Sequence, residues 1–479
     1  MTNYSLELLT LIPVLVIELT IIILILLIIF KRNNLISLII TVIGLILVPP
    51  SLLLIKKMDA FYLDYYLYFD NYSFFYVILL IISSFSTCIF SYYWLEKYKD
   101  YKEEFYLLIL ISTLGGIIVV STIYLHIIFV GLELLSLPVF GLINFSYNKK
   151  KALNASLKYT ILSLVSSSLI LFGIGLLYIK LKSLDITAFM LEGFYSSFLA
   201  LGFIILSSGL FIKLSLVPFQ LWTPDIYEKL SLPVLSFISG NNKIVFFAII
   251  TRLILYLPDY YMHIRLLFMI VACSSMIFGS IMIVTQNNIN KIIGYSSISQ
   301  IGYLMVIFYI IKTKISSQTI FISVVNYILS NLGIFGVINI ISNQLNIKKN
   351  INNTKIYRGL FWHQPLMALV MTVMFMSLAG LPLTLGFLSK LYVIIASLNT
   401  DLWWLVISIV LSSSISLYAY LKIIINLYIN SNNKNKIFNK LNITDQFFSK
   451  FIVLLFTIVI IFLGIYPEKI INISINIRY

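Results

Sequence analysis

The chain has 479 residues, of which 60% are hydrophobic and 11% are charged, and its formal net charge is +15. Apolar runs of about 20 residues recur throughout, which is typical of a polytopic α-helical membrane protein and leaves no stretch for a soluble domain. The basic residues are spread along the chain rather than gathered in one patch, so the positive charge does not indicate a nucleic-acid-binding protein.

The apolar runs predict 14 membrane spans. The first run is longer than a typical signal-peptide core and lacks a positively charged leading region, so we interpret it as a retained helix. In chain order the predicted spans are Leu8–Phe30, Leu35–Ile55, Asn71–Tyr92, Phe105–Ile123, Leu125–Phe145, Leu157–Ile179, Ser197–Trp222, Pro233–Leu257, Leu266–Thr285, Ile293–Ile311, Ser316–Ile341, Pro365–Ser397, Leu402–Ile429 and Phe451–Ile471.

The loops between these spans differ in positive charge. Loops after odd-numbered spans hold 18 basic residues, whereas loops after even-numbered spans, together with the C-terminal segment, hold nine. Lysine and arginine accumulate in cytoplasmic loops, so this bias predicts that the odd-numbered loops are cytoplasmic and that both termini lie on the opposite side.

Eight charged residues remain inside the predicted spans. A charge at the bilayer centre costs about 2.5–3.5 kcal/mol on insertion scales, so each such residue needs a partner, a cavity or a route to the headgroups. For Lys158, Arg252 and Lys422, snorkelling from a helix end explains the charge as well as function does. The basic residues are Lys158, Lys213, Lys243, Arg252, Lys390 and Lys422, and the acidic ones are Glu18 and Glu133.

Two of the intramembrane lysines stand next to predicted helix breaks. Lys213 lies five residues before Pro218, and Lys390 follows Gly380 and Pro382. Proline removes a backbone donor, and a helix broken at membrane depth is tolerated where it is buried in protein or lines a hydrated cavity. Two interrupted helices, each with a lysine, therefore predict a duplicated ion or proton transport unit.

The chemistry that these residues permit is proton relay. Burial disfavours the charged form of a lysine or a carboxylate, and pairing restores it, so Glu133 close to Lys213 would act as a switch. Lys243 could accept the proton next, and polar side chains with water could bridge the way to Lys390. His126 lies seven residues before Glu133 and so on the same helical face, although a hydrogen-bonded structural histidine explains it equally well.

The sequence offers no sign of a redox or metal centre. Cys88 and Cys273 stand in separate apolar runs without metal-ligand spacing, and we interpret both as core thiols. There is no CxxC cluster, no Walker loop and no dinucleotide fingerprint after a strand. We therefore expect no cofactor and no metal to be bound by this chain.

Four segments carry a resemblance to a known family. They resemble subunit N of bacterial respiratory complex I, the NADH:quinone oxidoreductase, which is equivalent to mitochondrial subunit 2. The similarity runs from about Glu104 to Leu427, and its motifs are specific in combination. The segments are GLELLSLPVFGLINF, KLSLVPFQLWTPDIYEKLSLPVLSFISGNNK, NINKIIGYSSISQIGYLMV and YRGLFWHQPLMALVMTVMFMSLAGLPLTLGFLSKLYV.

The resemblance implies an all-α, antiporter-like membrane fold of 14 helices, of which the seventh and twelfth are broken. Its core would be two inverted repeats of five helices at 105–257 and 266–429. Three helices in 1–104 and a final helix at 451–471 would complete a single membrane domain over 1–479.

The family's proton-channel positions match five residues here, in spans five to eight and in span twelve. The resemblance implies that Glu133 and Lys213 form the charge-pair switch, that Lys243 is a central connection and that Lys390 exchanges protons with the far side. The matching positions are Glu133, Lys158, Lys213, Lys243 and Lys390.

The resemblance also implies partners and a location. The partners would be the lipid bilayer and the other membrane subunits of complex I, including antiporter-like homologues, while NADH, FMN, Fe–S clusters and quinone would belong to the parent complex. The location would be a bacterial inner membrane, with the mitochondrial inner membrane as the alternative.

Larger complex I subunits, subunits of sodium/proton antiporters and membrane hydrogenase subunits share the fold. A passive scaffold that moves no proton is the alternative of another class, and it predicts tolerance of Lys213→Ala.

Overall fold

A computed structural model describes residues 3–57, 67–98, 101–145, 150–191, 196–258, 261–309, 314–345, 352–429 and 446–468. Within these ranges the chain forms helices joined by loops, and extended pairing is limited to two isolated bridges between loops. The predicted all-α architecture is confirmed.

Eighteen α-helices lie in the described part of the chain. In order they are α1 Asn3–Phe30, α2 Asn34–Lys57, α3 Asn71–Leu95, α4 Lys102–Val120, α5 Leu125–Asn144, α6 Lys150–Leu181, α7 Ser197–Leu214, α8 Trp222–Lys229, α9 Leu232–Phe237, α10 Lys243–Leu255, α11 Met262–Thr285, α12 Ile289–Val306, α13 Lys314–Leu345, α14 Leu360–His363, α15 Pro365–Ala379, α16 Leu385–Leu398, α17 Trp403–Tyr428 and α18 Phe447–Ile465.

Thirteen helical segments of the described chain are long and apolar enough to cross a membrane. The shorter α15 and α16 stand together where the twelfth span is predicted, so these segments account for the 14 predicted spans. The end of the last predicted span, at 469–471, lies outside the described residues.

Local sequence sets several helix starts. The Asp70 carboxylate caps α3 by accepting a hydrogen bond from the backbone N–H of Ser73 at 2.7 Å, and the Asn288 side chain accepts from the N–H of Asn290 at the start of α12. Both caps occupy backbone donors that have no partner within the helix. Pro233 and Pro365 stand in the first turns of α9 and α15, where the missing N–H costs nothing.

Two spans are interrupted at the predicted positions. Helix α7 ends at Leu214, and the chain does not become helical again until Trp222; Pro218 lies in the gap. Helix α15 ends at Ala379, and α16 begins at Leu385. Gly380 has a φ of 81°, a left-handed conformation that glycine adopts without the steric cost of a Cβ atom.

A third irregularity lies inside the eighth predicted span, where a π-helical turn over Ile238–Asn242 separates α9 from α10. Such wide turns are rare and are found frequently at functional sites. Lys243 is the first residue of α10, directly after this turn.

The chain divides into two compact units. The first comprises Met1–Leu214 and Gly240–Ile264, and the second comprises Ser215–Ser239 and Arg265–Ile477. The segment Ser215–Ser239, which includes α8 and α9, therefore groups with the later helices rather than with its sequence neighbours. The division into inverted repeats at 105–257 and 266–429 stays a prediction.

Close helix pairs build the first unit. A Cβ atom at Gly115 of α4 would lie 2.6 Å from the backbone nitrogen of Leu135 in α5. A Cβ atom at Gly173 of α6 would lie 2.6 Å from the backbone nitrogen of Leu206 in α7. Small residues at such contacts let helix backbones approach each other closely in a membrane.

In the second unit, α13 is the central helix and packs against α15, α16 and α18. Buried residues make up 94% of the apolar window of α13 but 33% of the window of α18. Buried polar residues such as Ser323, Asn326 and Ser330 show that α13 is enclosed by other helices on its polar positions as well as on its apolar ones.

The loop contacts within each unit follow the alternation expected of membrane-crossing helices. In the first unit, the loops after the fourth and sixth spans meet where the N–H of Leu125 donates to the carbonyl of Leu184 at 2.9 Å. The loops after the first and third spans meet through the Arg32–Glu104 ion pair at 3.0 Å. Even-numbered loops thus contact even-numbered ones, and odd-numbered loops contact odd-numbered ones.

The second unit shows the same pattern at its odd-numbered loops. Glu228, in the loop after the seventh predicted span, forms an ion pair with Lys291, in the loop after the ninth predicted span, at 2.9 Å. The N–H of Ile289 donates to the carbonyl of Asn352, after the eleventh span, at 2.7 Å. Several counted basic residues, including Lys348, Lys349 and Lys434, lie outside the described residues, and the assignment of one face to the cytoplasm stays a prediction.

Candidate functional site

Lys213 lies in the last turn of α7 and is buried, with 6% of its surface exposed. Its ammonium donates a hydrogen bond to the hydroxyl oxygen of Ser163 on α6. It also lies 5.7 Å from the centre of the Phe246 ring on α10, within the range of a cation–π interaction. A serine hydroxyl can accept one hydrogen bond and donate another, so Ser163 can pass a proton as well as hold the lysine.

Lys243 is more deeply buried, with 3% of its surface exposed. Its ammonium donates to the carbonyl of Leu214, the last residue of α7, and lies 3.5 Å from the carbonyl of Lys213. The last carbonyls of a helix have no partner within it and carry the negative end of the helix dipole. Lys243 therefore stabilises the end of α7, and its position links it to the backbone of Lys213.

Glu133 is half-buried on α5 and interacts electrostatically with Lys213. Its carboxylate accepts a hydrogen bond from the Ser136 hydroxyl at 3.4 Å. The hydrogen-bond partner of Lys213 is Ser163 rather than Glu133. The two charges thus act on each other without the direct contact that a tight ion pair would make.

Two further predicted site residues lie at the surface of the chain. Lys158 is exposed on α6, five residues before Ser163. His126 is exposed in the first turn of α5, with its ring centre 5.7 Å from that of Tyr124. Neither residue is buried with Lys213 and Lys243.

Lys390 lies on α16 in the second unit and is buried, with 8% of its surface exposed. Its ammonium donates to the carbonyl of Ala379, the last residue of α15, at 2.7 Å. It also lies 5.2 Å from the centre of the Tyr303 ring, whose hydroxyl is 2.8 Å from that of Ser412. Lys390 thus holds the helix end at the break of the twelfth span.

The same contact therefore occurs in each unit. In each case a buried lysine ammonium donates to the last carbonyl of the first half of an interrupted span. Lys243 of α10 does so at the end of α7, and Lys390 of α16 does so at the end of α15. The carbonyls hold the ammonium as hydrogen-bond acceptors but cannot themselves take up a proton. Each ammonium has three N–H donors, so a proton can leave through a bond other than the one to the carbonyl.

Side chains that the sequence analysis did not single out complete these surroundings. The Asn242 amide donates to the Tyr159 hydroxyl at 3.1 Å, and both polar atoms of the Asn241 amide are buried without a hydrogen-bond partner in the described chain. In the second unit, the Gln300 amide donates to the carbonyl of Leu378 at 3.0 Å. The adjacent asparagines at 241–242, before Lys243 in an apolar run, were the available sequence signal, whereas Ser163 and Gln300 had none.

Arg252 belongs to a different cluster. It forms two 3.0 Å hydrogen bonds to the Asp70 carboxylate and one of 2.7 Å to the carbonyl of Thr122. Its guanidinium lies 4.8 Å from the centre of the Tyr72 ring. The charge is thus neutralised inside the protein and joins α10, the start of α3 and the end of α4, so snorkelling is not needed to explain it.

The described chain contains no group of three or more His, Cys, Asp or Glu side chains that could hold a metal ion. Cys88 is buried in α3, and the sulfur of Cys273 on α11 lies 3.2 Å from the Ser408 hydroxyl. The site is therefore described by its lysines, hydroxyls, carbonyls and one carboxylate. The lysines, the hydroxyls and the carboxylate can bind or transfer protons, whereas the carbonyls hold the lysines as hydrogen-bond acceptors.

Comparison with known proteins places this geometry in a family. The family model described as "NADH:quinone oxidoreductase/Mrp antiporter, TM" matches residues 123–416. This range is more than half of the chain, and it contains Glu133, Lys158, Lys213, Lys243 and Lys390.

Solved structures share the fold over nearly the whole chain. A chain of respiratory complex I from Thermus thermophilus superposes with a TM-score of 0.81 at 24% identity, covering 96% of this chain and 98% of that one. A chain of the Mrp complex from Dietzia sp. gives 0.85 at 19% identity, covering 100% and 97%. A chain of the membrane-bound sulfane sulfur reductase, an archaeal respiratory membrane complex, gives 0.82 at 20% identity, covering 99% and 96%.

At these identities the superpositions establish the fold, which is that of antiporter-like membrane subunits, and the expected fold class is confirmed. The family match covers the interrupted helices and the buried lysines described above. The chain is therefore a multi-pass membrane protein that belongs to the NADH:quinone oxidoreductase/Mrp antiporter family.

Proposed function

We propose that this chain is an antiporter-like, proton-translocating membrane subunit of a respiratory complex I, of the subunit N type. In this proposal it takes no electrons itself and is a non-redox part of the NADH:quinone oxidoreductase. NADH, FMN, Fe–S clusters and quinone are bound by other subunits. The proton relay consists of Glu133, Lys158, Lys213, Lys243 and Lys390.

The observation that carries the proposal is the environment of Lys213. Its ammonium is buried at the end of an interrupted helix, and its hydrogen bond goes to the Ser163 hydroxyl rather than to a carboxylate. A lysine that served only to pair with an acid would be expected in a tight ion pair. A lysine held by a hydroxyl, with the charge of Glu133 acting from further away, is suited to losing and regaining a proton.

The switch works through the Glu133 charge. When the carboxylate is near, it stabilises the protonated form of Lys213, and when the two separate, burial favours proton release. Ser163 is one neighbour that can take part in the transfer. Lys243 is linked to the same helix end through the carbonyls of Leu214 and Lys213, and the Asn241 amide beside it can order water for the next step.

The partners are other membrane subunits of the complex. Lys158 is exposed on α6, and apolar residues around it are exposed as well, with 60% of the surface of both Leu157 and Ile161 accessible. An exposed apolar face of this kind, which also carries a lysine, fits against a neighbouring subunit, such as an antiporter-like homologue.

The assignment to subunit N rests on the segments KLSLVPFQLWTPDIY and GLFWHQPLMA. Other antiporter-like subunits share the family and the fold, among them those of Mrp-type antiporters. Co-purification of the chain with a quinone reductase would distinguish a complex I subunit from a subunit of an Mrp-type antiporter.

We propose that the protein lies in a bacterial inner membrane with both termini on the outer side, and the mitochondrial inner membrane is the alternative.

The central experiment changes Lys213 and its partner in the assembled complex. Membranes are normalised for assembled complex and then assayed for NADH-driven quinone reduction and for formation of a proton gradient. We expect Lys213→Ala to lower both activities together by about tenfold or more, because it removes a proton-transfer group. Lys213→Arg should retain some of both activities, because the positive charge remains.

Ser163→Ala separates the relay from a passive scaffold. It removes the acceptor of Lys213 without removing a charge, so the relay predicts lower pumping, whereas a scaffold predicts parental activity. Lys180→Ala is the control for a lysine substitution that should not affect the relay, because Lys180 is exposed in the last turn of α6, the helix that carries Ser163.

If assembled Lys213→Ala complex pumps protons at the parental rate, Lys213 has no role in the mechanism and the scaffold is the better description.

A further inference from the structure

A shallow, partly open crevice lies between the end of α11 and the C-terminal half of α17 in the second unit. It lies outside the cluster around Lys390, and the proposed proton relay does not use it.

The polar part of the lining presents one cation surrounded by neutral hydrogen-bonding groups. Lys422 supplies the charge, Gln286, Asn287 and Asn426 supply amides, and Thr354 supplies a hydroxyl. The lining contains no acidic residue among the described parts of the chain. Amide N–H₂, hydroxyl and ammonium groups all donate hydrogen bonds, so this combination favours an anion with several acceptor oxygens.

The remaining lining is apolar and comes from residues such as Ile283 and Ile423. The crevice lies near helix ends, since α11 ends at Thr285 and α17 ends at Tyr428. Tyr418, which is part of the lining, is exposed, and the exposed Tyr428 stands at the end of the same helix. Aromatic residues of this kind are enriched where the membrane meets water.

The charge of Lys422 therefore lies where apolar and polar surroundings meet. Lys422 is exposed, and within the described residues no carboxylate forms an ion pair with it. Its long apolar stem can lie along the helices while its ammonium reaches the headgroup level. In the predicted orientation, loops after the ninth and thirteenth spans face the cytoplasm, where the leaflet carries anionic lipids.

We propose that this crevice binds the phosphate-bearing headgroup of an anionic phospholipid. The phosphate oxygens accept hydrogen bonds from Lys422 and from the neighbouring amides and hydroxyl. The glycerol and the first acyl carbons lie against the apolar part of the lining. A lipid fits this mixed lining, whereas free phosphate would use only its polar half.

The test uses the purified intact complex and a photoactivatable phosphatidylglycerol, with crosslinked peptides identified by mass spectrometry. We expect crosslinks on peptides that contain Ile283–Ile292 and Tyr418–Asn426. Lys422→Gln should lower their yield by about tenfold, because the charge-assisted hydrogen bond to phosphate is lost, and Lys422→Arg should retain most of it. Lys31→Gln, which changes an exposed lysine at the end of α1 outside the crevice, should leave the yield unchanged.

Competition identifies the ligand. Unlabelled short-chain phosphatidylglycerol should displace the photoactivatable lipid, whereas inorganic phosphate at the same concentration should not. If phosphate competes equally well, the crevice is a site for a soluble anion and the proposal is wrong. The proposal is also wrong if the Lys422→Gln complex is labelled at the parental level, or if crosslinks in the parent complex join the crevice to a peptide of a neighbouring subunit instead of to lipid.

Discussion

The ammonium of Lys390 lies 2.7 Å from the carbonyl oxygen of Ala379, at the point where α15 ends. Lys243 makes the equivalent contact with Leu214 at the end of α7. In both cases the negative end of a helix dipole stabilises a buried positive charge. The lysines therefore contribute to the structure of the breaks as well as to the proposed transfer of protons, and substitutions must be chosen to separate the two roles.

Lys390→Ala tests the second break. We expect turnover to fall about tenfold or more while assembly is preserved, because Gln300 still donates to the neighbouring carbonyl of Leu378 and caps the helix end. Lys390→Glu should retain part of the activity, since a protonated carboxyl group can also donate to the Ala379 carbonyl and carry a proton. Quinone reduction and proton-gradient formation are measured in membranes normalised for assembled complex. If Lys390→Ala matches the parent in both assays, Lys390 is a structural charge and not the proposed exit group.

Glu133→Gln tests the proposed switch. The substitution keeps the shape and the hydrogen-bonding ability of the side chain but removes the charge that acts on Lys213. We expect quinone reduction and pumping to fall together, since the protonated form of Lys213 loses its stabilising charge. Glu18→Gln is the matched control, because Glu18 is the other carboxylate inside a predicted span and is exposed on α1. Parental pumping by Glu133→Gln would remove the switch from the mechanism.

Gly386→Ala tests the geometry of the break in the twelfth span. A Cβ atom at this position would lie 1.7 Å from the carbonyl oxygen of Ser377, so the backbone of α15 or α16 would have to move. Overpacking of this kind costs about 1–3 kcal/mol or more, and we expect less assembled subunit and a lower melting temperature. Gly175→Ala is the control, because a Cβ atom there would meet no atom within 4 Å. If Gly386→Ala and Gly175→Ala gave equal amounts of assembled protein, the backbone at the break between α15 and α16 would be able to move without loss of stability.

Asp70→Asn tests the Arg252 cluster. Asparagine can still cap α3, so the substitution removes mainly the charge that neutralises Arg252. Breaking a fully buried ion pair from one side costs about 3–5 kcal/mol. Because 27% of the Asp70 side chain is exposed, we expect a smaller cost here, but still a clear loss of thermal stability of the purified complex. Glu104→Gln breaks the more exposed Arg32–Glu104 pair, which should contribute about 0–1 kcal/mol. An equal fall in melting temperature for Asp70→Asn and Glu104→Gln would contradict the larger contribution that we assign to the Asp70–Arg252 pair.

Hydropathy predicted the spans well because a bilayer demands helices of a certain length. The breaks at Pro218 and at Gly380 and Pro382 were also predictable, since proline and glycine act on the backbone locally. The boundaries of single spans were less accurate, and α7 ends eight residues before the predicted Trp222. The stretch from 215 to 221 is largely apolar but not helical, and hydropathy alone does not distinguish it from the end of a helix.

The partners of the charged residues could not be predicted, because they come from distant parts of the chain. Asp70 and Arg252 are 182 residues apart, and Ser163 and Lys213 are 50 residues apart. Nothing in the local sequence of Ser163 distinguishes it from the other serines of α6. The π-helical turn before Lys243 also depends on tertiary packing rather than on a recognisable turn motif.

The grouping of Ser215–Ser239 with the later helices has a consequence for biosynthesis. Helix α8 packs against α12, and α9 packs against α13, both of which are synthesised after them. By contrast, Gly240–Ile264 belongs with the helices that precede it. During translation the first unit can reach its full set of helices once residue 264 has entered the membrane. The segment from 215 to 239 meets its packing partners only later, because α12, α13 and Lys291, which pairs with Glu228, are synthesised after it.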